Sequence, residues 1–153
     1  MVINLDIHYF IDFSQFIIIN VFNLIVFALF LARVRKPKIS KKIGILSLVL
    51  GIPTLVIAIL NLLLLRAWWY WAFPLLLVAF IIFTLIVDYI WKIEFRNPRR
   101  LSILIPFLIL FYVSIILMWG LTWILGVAYG VITGITYFIQ LFGAYYAGKH
   151  GVG

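Results

Sequence analysis

Long apolar segments separated by short polar ones fill most of the chain. The first extends from about Tyr9 to Ala32, and a second and third cover 43–65 and 68–91. The first ends where charge and proline together stop a membrane helix, in the run Arg33-Val34-Arg35-Lys36-Pro37-Lys38. Because about 20 apolar residues suffice for an α-helix to cross the hydrocarbon core, the pattern predicts membrane-spanning helices at about 9–32, 43–65 and 68–91.

Residues 101–148 form a further apolar stretch of 48 residues without a charged side chain. As one helix it would be about 70 Å long, more than twice the thickness of the hydrocarbon core, so it has to turn back. We place the turn at Gly120–Gly126, where Trp119 and Trp123 also cluster. This adds helices at about 101–120 and 125–147. We therefore predict an all-α, polytopic integral membrane protein: a bundle of five transmembrane helices with short loops, forming a single transmembrane domain over 1–153.

The composition supports this interpretation and excludes a soluble domain. Of the 153 residues, 67% are hydrophobic and 10% are charged, and the mean hydropathy is +1.28. A soluble domain has roughly 25% charged residues, which cover its surface with polar groups. Cysteine is absent, so disulfides, thiolate metal sites and cysteine nucleophiles are excluded.

The basic residues divide unequally between the two sides of the membrane. With five spans, Arg66 lies alone on one side, and the other side holds eleven basic residues: Arg33, Arg35, Lys36, Lys38, Lys41, Lys42, Lys92, Arg96, Arg99, Arg100 and Lys149. Basic residues concentrate in the cytoplasmic loops of membrane proteins. We therefore expect a cell-membrane protein with its N-terminus outside and its C-terminus in the cytoplasm.

The same basic loops predict contacts with anionic lipid headgroups, since each Lys or Arg near the surface contributes about 1 kcal/mol to such binding. Lipid contact is sufficient to explain the net charge of +8, and we predict no nucleic acid as a partner. Beyond the lipid bilayer, we expect other membrane subunits, or further copies of this chain, as partners.

Two of the predicted helices carry stripes of small and polar side chains. In the second helix they recur at steps of three and four: Gly44, Ser47, Gly51, Thr54, Ala58 and Asn61. In the fifth helix, Gly126, Gly130 and Gly134 form a double G-x-x-x-G pattern. Small residues let membrane helices approach closely, so we predict both stripes as helix-packing faces. They can pack inside this bundle, which already has to bury several helix faces, or against a partner subunit.

Several neutral polar side chains lie near the expected membrane midplane or on the same helix faces. They are Asn20, Asn23, Thr133, Thr136, Tyr137 and Gln140. One interpretation is a hydrogen-bonding pathway at the depth where transporters hold their substrates. The other is hydrogen bonding between helices, at about 0.6 kcal/mol for each bond. No charged group joins the cluster, which favours the second interpretation.

Asp88 is the acidic residue predicted to lie inside a span, which makes it a possible ion or proton site. Lys92 follows it by four residues, the order that favours an ion pair along a helix. We favour this structural pair over proton transfer. A lipid-modifying site that combines Asp88 with Glu94 and Arg96 is the weakest alternative.

The motifs of hydrolytic, nucleotide-driven and haem-binding chemistry are absent from the sequence. Asp6, His8 and Asp12 near the N-terminus could supply metal ligands, but their spacing does not favour a site. We predict no catalytic residues, no cofactor and no metal. The sequence favours a non-catalytic accessory or scaffolding subunit of a larger membrane complex. The alternative is a small oligomeric transporter or channel that uses the midplane residues.

Single cysteines in this cysteine-free chain test the orientation. We expect Ser40→Cys and Asn97→Cys to be protected from a membrane-impermeant thiol reagent added to intact cells, because both lie in basic loops. Val2→Cys should react. The measurement is the gel shift after labelling, and reaction of Ser40→Cys from outside would contradict the predicted orientation.

Overall fold

The apolar segments form long helices in the computed structural model, which describes the backbone of residues 2–96 and 100–152 and, within those ranges, side chains from Ile7 onward. The helices are α1 (Val2–Arg35), α2 (Pro37–Val49), α3 (Gly51–Leu63), α4 (Trp68–Thr84), α5 (Leu101–Leu125) and α6 (Val127–Lys149). A π-helix, Leu85–Ile90, continues α4. Five helical segments are long and apolar enough to cross a membrane, and the described residues contain no strand. The predicted all-α bundle of five membrane-spanning helices is confirmed.

The second span consists of α2 and α3 together, Pro37–Leu63, with an interruption at Leu50. Pro53 has no N–H to donate to the carbonyl of Val49, which accounts for the interruption. The span begins at Pro37 rather than at the predicted residue 43. Proline is favoured in the first turn of a helix, where its missing N–H has no intrahelical partner to lose.

The turn between the last two spans is shorter than predicted. Gly120 lies inside α5, which continues to Leu125, so the prediction of a turn over Gly120–Gly126 was wrong in its extent. The chain reverses at Gly126 alone, with φ 141° and ψ 161°, a conformation that only glycine adopts readily. The indole N–H of Trp119 then donates to the carbonyl of Gly130 at 2.7 Å and holds α5 against α6.

The helices form a closed ring around an apolar centre. α1 packs against α2 and α6, α4 packs against α3 and α5, and α5 also packs against α6. α1 and α5 touch each other as well. The central side chains are buried and come from α1, α4 and α5: Ile19, Phe22, Leu77, Ile115 and Met118. Because the ring closes, the interior of the bundle is shielded from lipid along its middle section.

The two ends of the bundle differ in charge. One end carries the basic loops, and we call it the basic end. It is formed by the α1–α2 junction, the segment after the π-helix and the last turn of α6. The opposite end contains the start of α1, the α3–α4 loop and the α5–α6 turn. Contacts between Asp12 and Arg66, and between Tyr9 and Tyr129, join the elements of this opposite end.

Side chains of the same chain cover several glycines of the two stripes. The hydroxyl of Tyr89 lies against Gly44, and the ring of Trp123 lies against Gly130. A methyl group at Gly51 would lie 3.0 Å from Ile81, and one at Gly134 would lie 3.0 Å from Trp119. The other members of the first stripe, Ser47, Thr54, Ala58 and Asn61, are buried.

Two Gly→Leu substitutions test whether the covered glycine stripe stabilises the bundle. In Gly130→Leu the new side chain collides with Trp123, and we expect a loss of about 1–3 kcal/mol in the free energy of unfolding, as for other overpacked sites. Gly120→Leu is the matched control, because no atom lies within 4 Å of a methyl group at that position. Reversible unfolding in mixed micelles measures both. Equal stability of the two variants would contradict the close approach at Gly130.

Candidate functional site

A cavity of about 380 Å³ lies inside the basic end of the bundle. Its walls are mainly apolar and aromatic, and they include Phe22, Val26, Phe30, Phe80, Phe107 and Phe111. It extends along α1 from Phe22 to Arg33, a depth of about 16 Å at the helical rise of 1.5 Å per residue. The volume lies within the range of about 300–1,000 Å³ that is usual for small-molecule sites.

A wider vestibule of about 860 Å³ adjoins the cavity at the basic end. The two spaces share Leu29, Arg33, Asp88, Tyr89 and Arg96. The vestibule adds charged residues from the neighbouring loops: Lys41, Lys92 and Glu94. The charged side chains of the cavity therefore stand at its mouth, between an apolar interior and a polar entrance.

Asp88 forms an ion pair with Arg96 at this mouth. Both carboxylate oxygens accept hydrogen bonds from the guanidinium, each at 2.9 Å, and both side chains are largely buried. The guanidinium also lies over the rings of Phe95 and Phe107, at 4.1 and 4.9 Å from the ring centroids. Bidentate geometry of this kind fixes the orientation of both side chains.

The prediction that Asp88 pairs with Lys92 was wrong, because Asp88 pairs with Arg96. The chain passes through the π-helix around Asp88 and leaves the helix at Trp91, and Lys92 has a φ of 51°. The helical spacing that would place Lys92 one turn beyond Asp88 is therefore lost. Phe95 is fully buried and anchors the following segment, which brings the adjacent Arg96 back to the carboxylate. Sequence spacing alone does not reveal this reversal.

Arg33 lines both the cavity and the vestibule from the last turns of α1. In the part of the chain that the structure describes, the two ion pairs are Asp12–Arg66 and Asp88–Arg96, so Arg33 belongs to neither. Its guanidinium lies 5.5 Å from the ring centroid of Phe30. Arg33, Arg96 and Asp88 together give the cavity lining one excess positive charge.

Tyr89 closes one side of the cavity mouth. Its hydroxyl donates to the carbonyl of Lys41 at 3.4 Å and lies against Gly44. A side chain at position 44 would collide with that hydroxyl, so Gly44 makes room for Tyr89. Ser47 lies one turn further along α2 and also lines the cavity, and its hydroxyl donates to the carbonyl of Gly44 at 2.6 Å.

The opposite end of the bundle is held together by a second ion pair. Arg66 donates to the two carboxylate oxygens of Asp12 at 2.5 and 2.9 Å and to Oδ1 of Asn61 at 3.0 Å. The guanidinium lies 3.5 Å from the ring centroid of Tyr70, and the Asn61 amide donates to the Tyr70 carbonyl. Burial lowers the pKa of Arg66, but the hydrogen bonds and charge of Asp12 outweigh it, so the net shift is upward.

Sequence analysis did not predict the Asp12–Arg66 pair. The charge pattern nevertheless indicates it. Arg66 is the lone basic residue predicted on the N-terminal side of the membrane, where α1 contributes its acidic residues. The sequence offers Asp12 as a possible metal ligand together with Asp6 and His8. The structure uses it to bind Arg66 instead, and the side chain of Asp6 lies outside the described residues.

The midplane polar residues meet between α1 and α6. The Asn20 amide donates to Thr133 at 3.0 Å, and Asn20 accepts from the Thr136 hydroxyl at 2.8 Å. The Asn23 amide donates to Thr136 at 3.1 Å. Tyr137 stacks on the ring of Trp119 rather than joining these bonds, and Gln140 is fully buried without a hydrogen-bond partner among the described protein atoms. None of these six side chains lines the cavity.

A double-mutant cycle tests the ion pair at the cavity mouth. We expect Asp88→Asn and Arg96→Gln to be coupled by about 1–3 kcal/mol in the free energy of unfolding, as for residues of one salt-bridge network. The control cycle combines Asp88→Asn with Lys92→Gln and should show coupling below about 0.5 kcal/mol. Stronger coupling to Lys92 than to Arg96 would contradict the assigned pair.

The chain thus forms a membrane-spanning bundle with an apolar cavity at its basic end, a charged mouth, and an ion pair that closes the opposite end. Comparison of the chain with protein-family models, with curated proteins and with solved structures finds no match.

Proposed function

We propose that this protein is a small non-catalytic membrane transporter whose ligand enters the cavity from the basic end. The observation that carries the proposal is the cavity itself, which reaches about 16 Å into the bundle, by the helical rise, and is mainly apolar with a few polar groups. If the basic residues face the cytoplasm, as their distribution predicts, the cavity opens to the cytoplasm. The basic loops would then also contact anionic lipid headgroups.

The closure of the opposite end supports transport over passive packing. Between the cavity and that end lie the buried side chains of Ile19, Leu77, Ile115 and Met118. Beyond them the Asp12–Arg66 ion pair joins α1 to the α3–α4 loop. A site open on one side and closed on the other is one of the two states that alternating access requires. The π-helix in the cavity wall adds support, because π-helical turns are frequent at functional sites.

The hypothesis of an accessory subunit receives less support from the packing. It rested on the missing catalytic motifs, the short loops and the small-residue faces that a partner could cover. On those faces, side chains of this chain already lie against Gly44, Gly51, Gly130 and Gly134. The midplane pathway also receives less support than the cavity, since Asn20, Asn23, Thr133 and Thr136 bond to one another between two helices.

Asp88 has a supporting role in this proposal. It lines the cavity, as a proton or cation site would, but both of its oxygens bind the guanidinium of Arg96. With both oxygens bound in this way, the carboxylate serves as the counter-ion of Arg96. We therefore assign Asp88 to positioning Arg96 rather than to proton transfer.

Cysteine labelling tests whether the cavity is open. Ser47 and Ser114 are both buried, and both hydroxyls donate to the carbonyl three residues earlier, but only Ser47 lines the cavity. In proteoliposomes we expect Ser47→Cys to react with a membrane-impermeant thiol reagent supplied at the basic end, because a reactive thiol has to be reached by solvent. Ser114→Cys, the matched control, should not react. Equal protection of both variants would contradict an open cavity.

Labelling of Ser47→Cys also tests alternating access, in a variant whose contact at the opposite end of the bundle is weakened. Asp12→Asn removes the charge that binds Arg66, so the closed end should open more often. We expect labelling of Ser47→Cys from the opposite side to rise several-fold in the Asp12→Asn background. Unchanged labelling in a variant that remains folded would contradict alternating access.

A further inference from the structure

The two arginines at the cavity mouth differ in their ion pairing. The positive charge of Arg96 is balanced by Asp88, which accepts hydrogen bonds from it at both carboxylate oxygens. Arg33, in contrast, has no ion-pair partner among the described residues. A charge in a poorly hydrated place is unfavourable unless an opposite charge or hydrogen-bonding groups accompany it. The group that best complements Arg33 is therefore an anion. This step rests on the proposed function, since it describes the ligand of the same cavity.

The vestibule has the same sign of charge. Arg33, Lys41, Lys92 and Arg96 line it against Asp88 and Glu94, which leaves two excess positive charges. An entrance lined by one sign of charge raises the local concentration of oppositely charged ligands. The entrance and the mouth therefore favour the same ligand charge.

The interior of the cavity excludes a compact hydrophilic anion as the best ligand. Beyond Arg33 the wall includes Phe22, Val26, Phe30 and Phe111, with Thr84 and Tyr112 among the polar groups. The lining extends on α1 from Phe22 to Arg33 and on α5 from Leu101 to Tyr112. Each range rises by about 16 Å along its helix. A hydrated inorganic ion would leave this apolar length unfilled, whereas an apolar chain would fill it.

We propose that the cavity binds a single-chain amphiphilic anion, with its carboxylate or phosphate head on Arg33 and its apolar chain directed toward Phe22. A guanidinium suits either head group, because its planar N–H groups match both carboxylate and phosphate oxygens. Arg96 stands beside Arg33 at the mouth, and the Asp88 pair fixes its position. The neighbouring vestibule provides the route by which the head group arrives.

Binding of amphiphiles that differ only in their head group tests the proposal. The probes are dodecanoate, dodecyl phosphate, dodecyltrimethylammonium and the neutral dodecyl maltoside, each titrated into the protein in nanodiscs with empty nanodiscs as the blank. We expect saturable binding of the two anionic probes, and weaker binding of the cationic and neutral probes by at least about tenfold. Acetate and inorganic phosphate should not compete with dodecanoate at equal concentration.

Two arginine variants test which residue binds the head group. Arg33→Gln should weaken dodecanoate binding by at least about tenfold, the effect expected for losing a charged hydrogen bond. Arg35→Gln is the matched control, since it removes one charge from the same helix end at an exposed residue outside the cavity lining. Arg33→Lys should retain part of the affinity because it keeps the charge. If Arg33→Gln does not fold, the head-group series on the unaltered protein still decides the question.

The possible results distinguish a wrong ligand class from the absence of an open cavity. If Ser47→Cys is labelled but the cationic probe binds as well as dodecanoate, the cavity exists and the ligand class is wrong. Competition by acetate or inorganic phosphate as strong as that by dodecanoate would replace the amphiphile with a free anion. If Arg33→Gln and Arg35→Gln weaken binding equally, the anion binds the surface charge and not Arg33. If Ser47→Cys is protected and no probe binds, the proposed function itself fails.

Discussion

The bilayer offers no hydrogen-bond partners and little charge compensation, so a chain with this composition has to satisfy its polar groups internally. Its helices satisfy their own backbone bonds, and its scattered charged and amide groups determine which helices meet. Asp12 binds Arg66 at one end of the bundle and Asp88 binds Arg96 at the other. Asn20 and Asn23 join Thr133 and Thr136 between them. The apolar ring of helices depends on these few polar contacts for its register.

The arginine charge is fully compensated at one end of the bundle and only partly at the other, and this difference is the basis of the proposed ligand class. Arg66 has a carboxylate, an amide oxygen and an aromatic ring around it. Arg33 has the ring of Phe30 and no carboxylate of the described chain within ion-pair distance. The uncompensated charge lies where the cavity opens, which is where a ligand would supply the missing anion.

Much of the fold follows from the sequence, because span length, charge distribution and small-residue stripes depend on local chemistry. The five spans are predictable in this way, as is the reversal near Gly126. The contacts at the site are less predictable, because they depend on backbone departures from a regular helix. The π-helix around Asp88 removes the expected Lys92 contact, and buried Phe95 returns Arg96 to the carboxylate. The cavity depends on how five helices pack together, which helix periodicity does not determine.

The proposed ligand depends on Arg33, which places a positive charge without an ion-pair partner among the described residues at the mouth of the cavity. Native mass spectrometry of the protein released from the membranes in which it was made shows whether an anion is bound there. We expect the unaltered chain to retain a single-chain anionic species, which Arg33→Gln loses and Arg35→Gln keeps. A spectrum in which Arg33→Gln retains the same anionic species to the same extent would show that Arg33 does not bind the ligand.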